Sequence, residues 1–230
     1  MPPREQAHFP GEGSHLERYS RVFNAVEINS TFHRPHRAST FERWAESVPA
    51  SFRFSVKLPR TITHDARLED ANERVASFLD QLRPLGKRVG CLLVQLPPKL
   101  EFDERVAHAF FRHLRRRFES GVAVEPRHAS WFTPGIAELL DRYRVARVAA
   151  DPPRTPEGFE PGGWSGLAYY RLHGSPRIYY SSYEDELLDA LALRLQKLRR
   201  GRITTWCIFD NTTLGAGTAN ALSLKARLRY

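Results

Sequence analysis

The strongest constraint on this chain is a repeating pattern: short β-branched or aromatic runs that stop at a cluster of polar side chains. The clearest case is residues 122–131, an apolar run that breaks at a proline and presents Glu125, Arg127, His128, Ser130 and Trp131. The same ending recurs at residues 25–31, 52–57, 91–96, 145–151, 167–173 and 205–211. A strand that is apolar along its length and polar at its C-terminal end is buried for most of its run and opens into a site at that end. Tyr169, Arg171 and His173 share one side of their strand by the period of two.

Helical periods separate these runs. Phe41, Trp44, Ala45 and Val48 share one face, as do Val75, Phe78, Leu79 and Leu82, then Val106, Phe110, Phe111, Leu114 and Phe118. Ile136, Leu139 and Leu140 form a further stripe, and Leu187, Leu188, Leu191, Leu195 and Leu198 the last long one. Ser39 and Glu42 have capping-box spacing, Thr133-Pro134 reads as a helix start, and Ser182 as a cap. Residues 1–15 are expected to be irregular, residues 16–23 a short helix, and residues 152–166 a long loop in place of a crossover helix. Alternating strands and helices make βα units and a parallel sheet. Polar endings on nearly every strand favour a TIM-type (β/α) barrel, in one domain over 1–230, over an open doubly wound sheet that gathers them at one switch point.

Lys and Arg total 35 against 26 Asp and Glu, a net charge of +9. That excess favours anionic partners: a small anionic molecule, or nucleic acid as the alternative. Arg112, Arg115, Arg116 and Arg117 read as a solvated helix face. Cys91 and Cys207 lie inside strand runs without CxxC spacing and read as small buried hydrophobes. No apolar run approaches the ~18 residues of a membrane helix, and the proline-rich start does not resemble a signal peptide, so the expectation is a soluble, cytoplasmic protein without membrane association.

Carboxylates stand near several strand ends: Glu27, Glu125, Asp151 and Asp210. Converging carboxylates raise one another's pKa and supply an acid and a base at neutral pH; the plainer alternative pairs each with Lys57, Arg127 or Arg171. The catalytic candidates are Glu27, Lys57, Glu125 and Asp151. The candidates for substrate contact are Asn29, Thr31, His64, Gln95, Arg127, His128, Trp131, Arg171, His173, Asp210 and Asn211. His64, His128 and His173 come from different strands without HxH or HExxH spacing, so no metal site is assigned, and metal-dependent hydrolysis stands as an alternative. Lys57 reads as a fixed positive charge rather than a Schiff-base lysine, because nothing near it in sequence explains a lowered pKa. Trp131, Tyr179 and Tyr180 are either stacking walls or loop anchors. No cofactor is indicated.

Taken in order, Val26-Glu-Ile-Asn-Ser-Thr-Phe32, Phe54-Ser-Val-Lys57 with Thr63-His64, and Val94-Gln-Leu-Pro-Pro98 resemble motifs of the YecE-like family, domain of unknown function 72. So do Val124-Glu-Pro-Arg-His-Ala-Ser-Trp131, Tyr170-Arg-Leu-His-Gly174, and Phe209-Asp-Asn-Thr212 with Asn220-Ala-Leu222. The resemblance implies a TIM-type barrel with a polar mouth and implies no reaction. One departure matters: family members usually begin with a glycine-rich strand and a Gly-Trp pair, and here only the His8-Phe9-Pro10 turn corresponds. Seven parallel strands are therefore expected, with the first barrel strand missing or truncated, and a coding start upstream of Met1 as the favoured explanation. The edges at residues 25–28 and 205–209 would then face each other unpaired and invite self-association. With the absent strand counted first, the turn after His173 and residues 210–217 follow strands seven and eight, where such barrels often bind phosphate.

Overall fold

The computed structural model describes residues 2–228. Its strands are β1 (Ala25–Ile28), β2 (Arg53–Lys57), β3 (Val89–Gln95), β4 (Gly121–Glu125), β5 (Val145–Arg147), β6 (Ala149–Asp151), β7 (Gly162–Gly163), β8 (Leu167–Leu172) and β9 (Thr204–Phe209). The helices are α1 (His15–Ser20), α2 (Ala38–Glu46), α3 (Asn72–Leu82), α4 (Glu104–Arg115), α5 (Pro134–Arg142), α6 (Asp185–Arg200) and α7 (Ala216–Arg227). One sheet has the order β1-β2-β3-β4-β5-β7 and the other β6-β8-β9. Every pairing is parallel except that of β5 with the two-residue β7.

The run 145–151, expected as one strand, is thus divided between both sheets. The chain steps at Val148, whose amide still bonds Val124 O at 2.8 Å, so that β5 pairs with β4 and β6 with β8. The two sheets together make an arc of seven parallel strand positions, β5 and β6 sharing one, with helices outside. This is a TIM-barrel-like α/β architecture.

Strand parity divides the core. One set of side chains packs outward against the helices, including Phe54, Val56, Leu92, Val124, Phe78, Phe110 and Phe111. The alternate set, Cys91, Leu93, Ala123, Ala146, Val148, Tyr169 and Trp206, fills the interior of the arc. Tyr169 and Trp206 stack there with centroids 6.0 Å apart. Burial on both sides explains why residues 91–96 carry no polar alternation.

Among the described residues the arc does not close between β1 and β9. Each has a single strand partner, and their residues stay largely half-exposed, whereas β3 is buried. Between them lies a cleft of about 1180 Å³, with Ala221 and Leu224 of α7 on its wall.

Local expectations fail where tertiary contacts outbid local ones. Residues 3–8 form a 3-10 turn rather than irregular chain. α1 ends at Ser20, short of residue 23, and its start is a complete capping box between Ser14 and Glu17. Ser39 does not cap α2, which begins one residue earlier after Arg37. Ser182 does not cap α6 either; Glu184 holds that position, and the Ser182 hydroxyl turns to Asn220 Oδ1 at 3.4 Å. Arg115 leaves the solvated face of α4. Its guanidinium ties down the carbonyls of Tyr143 (2.7 Å), Ser120 (2.6 Å) and Arg144 (2.5 Å), joining the end of α4 to the chain around β4 and β5. Arg112, Arg116 and Arg117 remain exposed. In residues 152–166 no crossover α-helix forms; a 3-10 turn at Pro156–Phe159 and β7 take its place.

Candidate active site

At the C-terminal ends of the strands the inward-facing parity changes from apolar to charged. Glu27, Lys57, Gln95, Glu125, Arg171, His173 and Asp210 all follow this parity, each from the end of its strand or just beyond. Arg171 is the centre. Its side chain is 1% exposed and lies 2.7 Å from Glu27, 2.7 Å from Glu125 and 2.9 Å from Asp210. Carboxylates on three different strands therefore meet one guanidinium. A cation this deep is stable only because its partners are pre-placed by the parallel strands.

Hydrogen bonds extend the network in both directions. Below, Tyr169 donates to Glu27 Oε2 at 2.7 Å and accepts from Ser55 Oγ at 2.7 Å. Above, Gln95 donates to Glu125 Oε2 at 3.0 Å. His173 places Nε2 3.2 Å from Glu125 Oε1 and Nδ1 3.1 Å from Asp210 Oδ2, so each ring nitrogen faces a carboxylate. That geometry suits an imidazolium donating twice.

The electrostatics reverse one sequence expectation. Burial alone would raise Glu125, but the Arg171 guanidinium, the His173 hydrogen bond and Arg127 hold its carboxyl well below the usual range. Asp210 is lowered likewise, against burial, by its bond to His173 and by Arg171. Glu125 does push Asp210 up, but His173 and Arg171 outweigh it, so the net shift of both carboxylates is downward. Burial opposes the charge of His173, yet its bonds to Asp210 and Glu125 raise it above its ordinary value. Lys57 moves the other way, down to about 8, through burial first and Arg171 second, with Glu125, Glu27 and Asp210 opposing. Nothing near Lys57 in sequence lowers it; the cause is burial and Arg171, distant along the chain, which only the fold brings close.

A cavity of about 300 Å³ opens directly above Glu125 and His173. Arg127, Arg154, Phe132 and Tyr179 contribute to its walls. Arg127 Nε stands 3.6 Å from Glu125 Oε1, and the Tyr179 ring meets the His173 ring edge-on with centroids 5.9 Å apart. The larger cleft between β1 and β9, the gap left in the arc, reaches the same network from the other side, with Glu27 and Asp210 on its wall.

Other candidates go elsewhere. Asp151 shares parity with Ala149, outside the arc, and receives a 3.0 Å bond from Tyr183 OH. Thr31 Oγ1 donates to Lys57 O at 2.7 Å and fixes a turn. His128 accepts from the Ser130 amide at 3.3 Å as the cap of a 3-10 turn. Trp131 is 2% exposed, its indole bonded to Leu100 O at 2.9 Å, which makes it a core residue rather than a stacking wall. Asn211 donates to Ser181 O and to Asn220 Oδ1, both at 2.9 Å. Asn29 Oδ1 is buried without a hydrogen-bond partner among the described residues and lies on the cleft side. His64 bonds Thr63 Oγ1 at 2.9 Å beside Phe32 and Lys57, and burial together with Lys57, Arg60 and Arg127 keeps it easily deprotonated. Among the described residues no group of His, Cys, Asp and Glu is arranged to hold a metal ion, and no helix is long and apolar enough to cross a membrane. Sequence reasoning passed over Ser55, Arg154 and Tyr183. Ser55 had a signal, its parity with Lys57; Arg154, in an irregular loop, had none.

Solved structures share this fold. A DUF72 family protein from Enterococcus faecalis V583 superimposes with a TM-score of 0.82 at 20% identity, covering 98% of this chain and 92% of that one. One from Thermotoga maritima MSB8 gives 0.79 at 25% identity, covering 98% and 94%. Among curated proteins, the UPF0759 protein YecE of Escherichia coli (strain K12) is 37% identical over 144 residues, 59% of this chain and 52% of YecE. The UPF0759 protein YunF of Bacillus subtilis (strain 168) is 26% identical over 157 residues, 64% of this chain and 55% of YunF. The chain thus spans about half the length of the curated relatives it matches. The family model "Protein of unknown function DUF72" matches residues 6–230, and the chain belongs to that family.

Proposed function

We propose that this chain is an enzyme that binds a small anionic molecule, phosphorylated or sugar-like, in the cavity above Glu125 and His173 and acts on it by acid–base chemistry. The observation that carries this reading is a histidine with a carboxylate at each ring nitrogen, at the floor of a cavity walled by Arg127 and Arg154. Charge counting supports it. Glu27, Glu125 and Asp210 oppose Arg171, His173, Arg127 and a protonated Lys57, three against four, so the mouth carries one uncompensated positive charge before Arg154 is added. With a carboxylate at each ring nitrogen, His173 fixes a positive charge at the cavity floor, and the group left to exchange a proton near neutral pH is Lys57 on the same rim, lowered to about 8. Arg127 and Arg154 would hold the anion, with planar donor geometry suited to phosphate or carboxylate.

Thermal unfolding with inorganic phosphate and with ribose 5-phosphate tests this. At ten times the dissociation constant a ligand adds about 1.4 kcal/mol of stability, a rise of roughly 3–5 °C in a chain of this size. The rise should vanish in Arg127→Ala and Arg154→Ala and persist in Arg112→Ala. No rise with either anion, or an equal rise in all variants, refutes the reading.

A further inference from the structure

Lys57 is the one charged member of this set that the network does not hold. Parity on β2 points it inward, one layer above Ser55 at the C-terminal end of the strand. Among the described residues no carboxylate lies within ion-pair distance of its amine and no hydrogen bond is made to it. Its nearest partner is an aromatic face, the Phe32 ring with its centroid 4.2 Å from Nζ. It is half-buried rather than sealed in. Arg171, a fixed cation, and the carboxylates Glu27, Glu125 and Asp210 surround it at longer range, with His64 on the Phe32 side. A lysine that is partly desolvated, set near another cation and left unpaired is placed as nucleophilic lysines are.

We propose that Lys57 is a catalytic nucleophile that forms an imine with a carbonyl-bearing anion, a 2-oxo acid or a phosphorylated aldehyde or ketone. Lys57 does not line the cavity above Glu125 and His173 but stands on the same rim of strand ends, so an anion anchored by Arg127 and Arg154 must present its carbonyl end past Glu125 toward the amine. The assignment names the substrate class for the site proposed above and rests on that reading. In the step, the free amine adds to the carbonyl carbon and an N–C bond forms, giving a carbinolamine. The C–O bond then breaks, and the oxygen leaves as water with the two amine hydrogens. The resulting imine, once protonated, withdraws electrons from the neighbouring carbon.

The chain has five lysines, Lys57, Lys87, Lys99, Lys197 and Lys225, which makes the test direct. The full chain is incubated near pH 7.5 with sodium cyanoborohydride and either glyoxylate or dihydroxyacetone phosphate, and the reduced adducts are mapped by peptide mass. At that pH an amine at about 8 is on the order of 100-fold more deprotonated than an exposed lysine, so labelling at Lys57 should exceed every other lysine by at least tenfold. The adduct should disappear in both Lys57→Met and Lys57→Arg while their melting temperatures stay near that of the parent. Preference for glyoxylate or for dihydroxyacetone phosphate tells carboxylate from phosphate recognition, and either preference supports the assignment. Uniform labelling of the five lysines, or none at Lys57, overturns it even where phosphate stabilises the protein. Selective labelling of Lys57 that Arg127→Ala leaves unchanged supports the nucleophile and removes the arginine clamp instead.

Discussion

Replacing Arg171 by methionine asks whether one guanidinium holds the strand ends together. Methionine keeps an unbranched stem and removes the cation, leaving Glu27, Glu125 and Asp210 without the partner that stands 2.7, 2.7 and 2.9 Å away. Removing one member of a buried charge set costs about 3–5 kcal/mol, because the others stay desolvated and unpaired. Against a total stability of about 5–15 kcal/mol that is a large share. The pH response gives a second signature. In the parent, Arg171 holds Glu125 well below its ordinary 4.5, despite burial. Without Arg171, burial lifts the carboxylates, and the folded state retains protons that the unfolded state has released. Stability then rises as pH falls, by about 1.4 kcal/mol per pH unit for each carboxylate taking up a proton. Urea unfolding of parent and Arg171→Met at pH 7.5 and pH 5.5 measures both effects. The gap should be several kcal/mol at the higher pH and should narrow at the lower. A gap below about 1 kcal/mol at pH 7.5, the worth of a surface pair, would refute the reasoning, as would one that widens on acidification.

His173 predicts the opposite limb of the same profile. Its folded value is raised above 6.5, so its contribution is complete below 6.5 and is lost as pH rises through the raised value. Glu125 and Asp210, both depressed, contribute above their ordinary 4.5 and 3.8 and lose that contribution as pH falls through their folded values. Parent stability should therefore be greatest between those limits, and His173→Gln should flatten the decline on the alkaline side; an unchanged slope in urea titrations contradicts the doubly bonded imidazolium. Arg115→Ala strips the donor from the carbonyls of Ser120, Tyr143 and Arg144 and should cost about 2 kcal/mol by urea unfolding, while Arg112→Ala on the same helix changes stability by less than about 0.5 kcal/mol. Equal effects at the two positions would show that Arg115 is a solvated arginine after all.

Parity made much of the site legible. Glu27, Lys57, Gln95, Glu125, Arg171, His173 and Asp210 each stand at a strand end on the inward register, and parallel strands bring such positions to one rim. Asp151 is a carboxylate at a strand end, but it shares its parity with Arg147 and Ala149 rather than with the inward Ala146 and Val148. Trp131, His128, Thr31 and Asn211 were beyond parity. Each is spent on a hydrogen bond to a loop or turn, and loop contacts such as Trp131 Nε1 to Leu100 O join residues 31 apart without a periodic signal. The division of residues 145–151 between two sheets was equally hidden, since β-branched and small residues suit either pairing.

The strength of the Arg171 network also limits its chemistry. Glu125 is held well below the usual carboxylate range and Asp210 is lowered too, so both are poor proton acceptors at neutral pH while Arg171 is present. What they do is favour the charged form of His173 and set the field in which Lys57 sits. On the acid–base reading proposed above, the base or nucleophile is then a group the network leaves free. Lys57, drawn down to about 8 by burial and by the same guanidinium that disables the carboxylates, fits that requirement. One buried cation thereby separates the two roles: it fixes the acidic side chains as structure and leaves the amine reactive. Glu125 joins the halves, bonded inward to Arg171 and Gln95 and outward to His173.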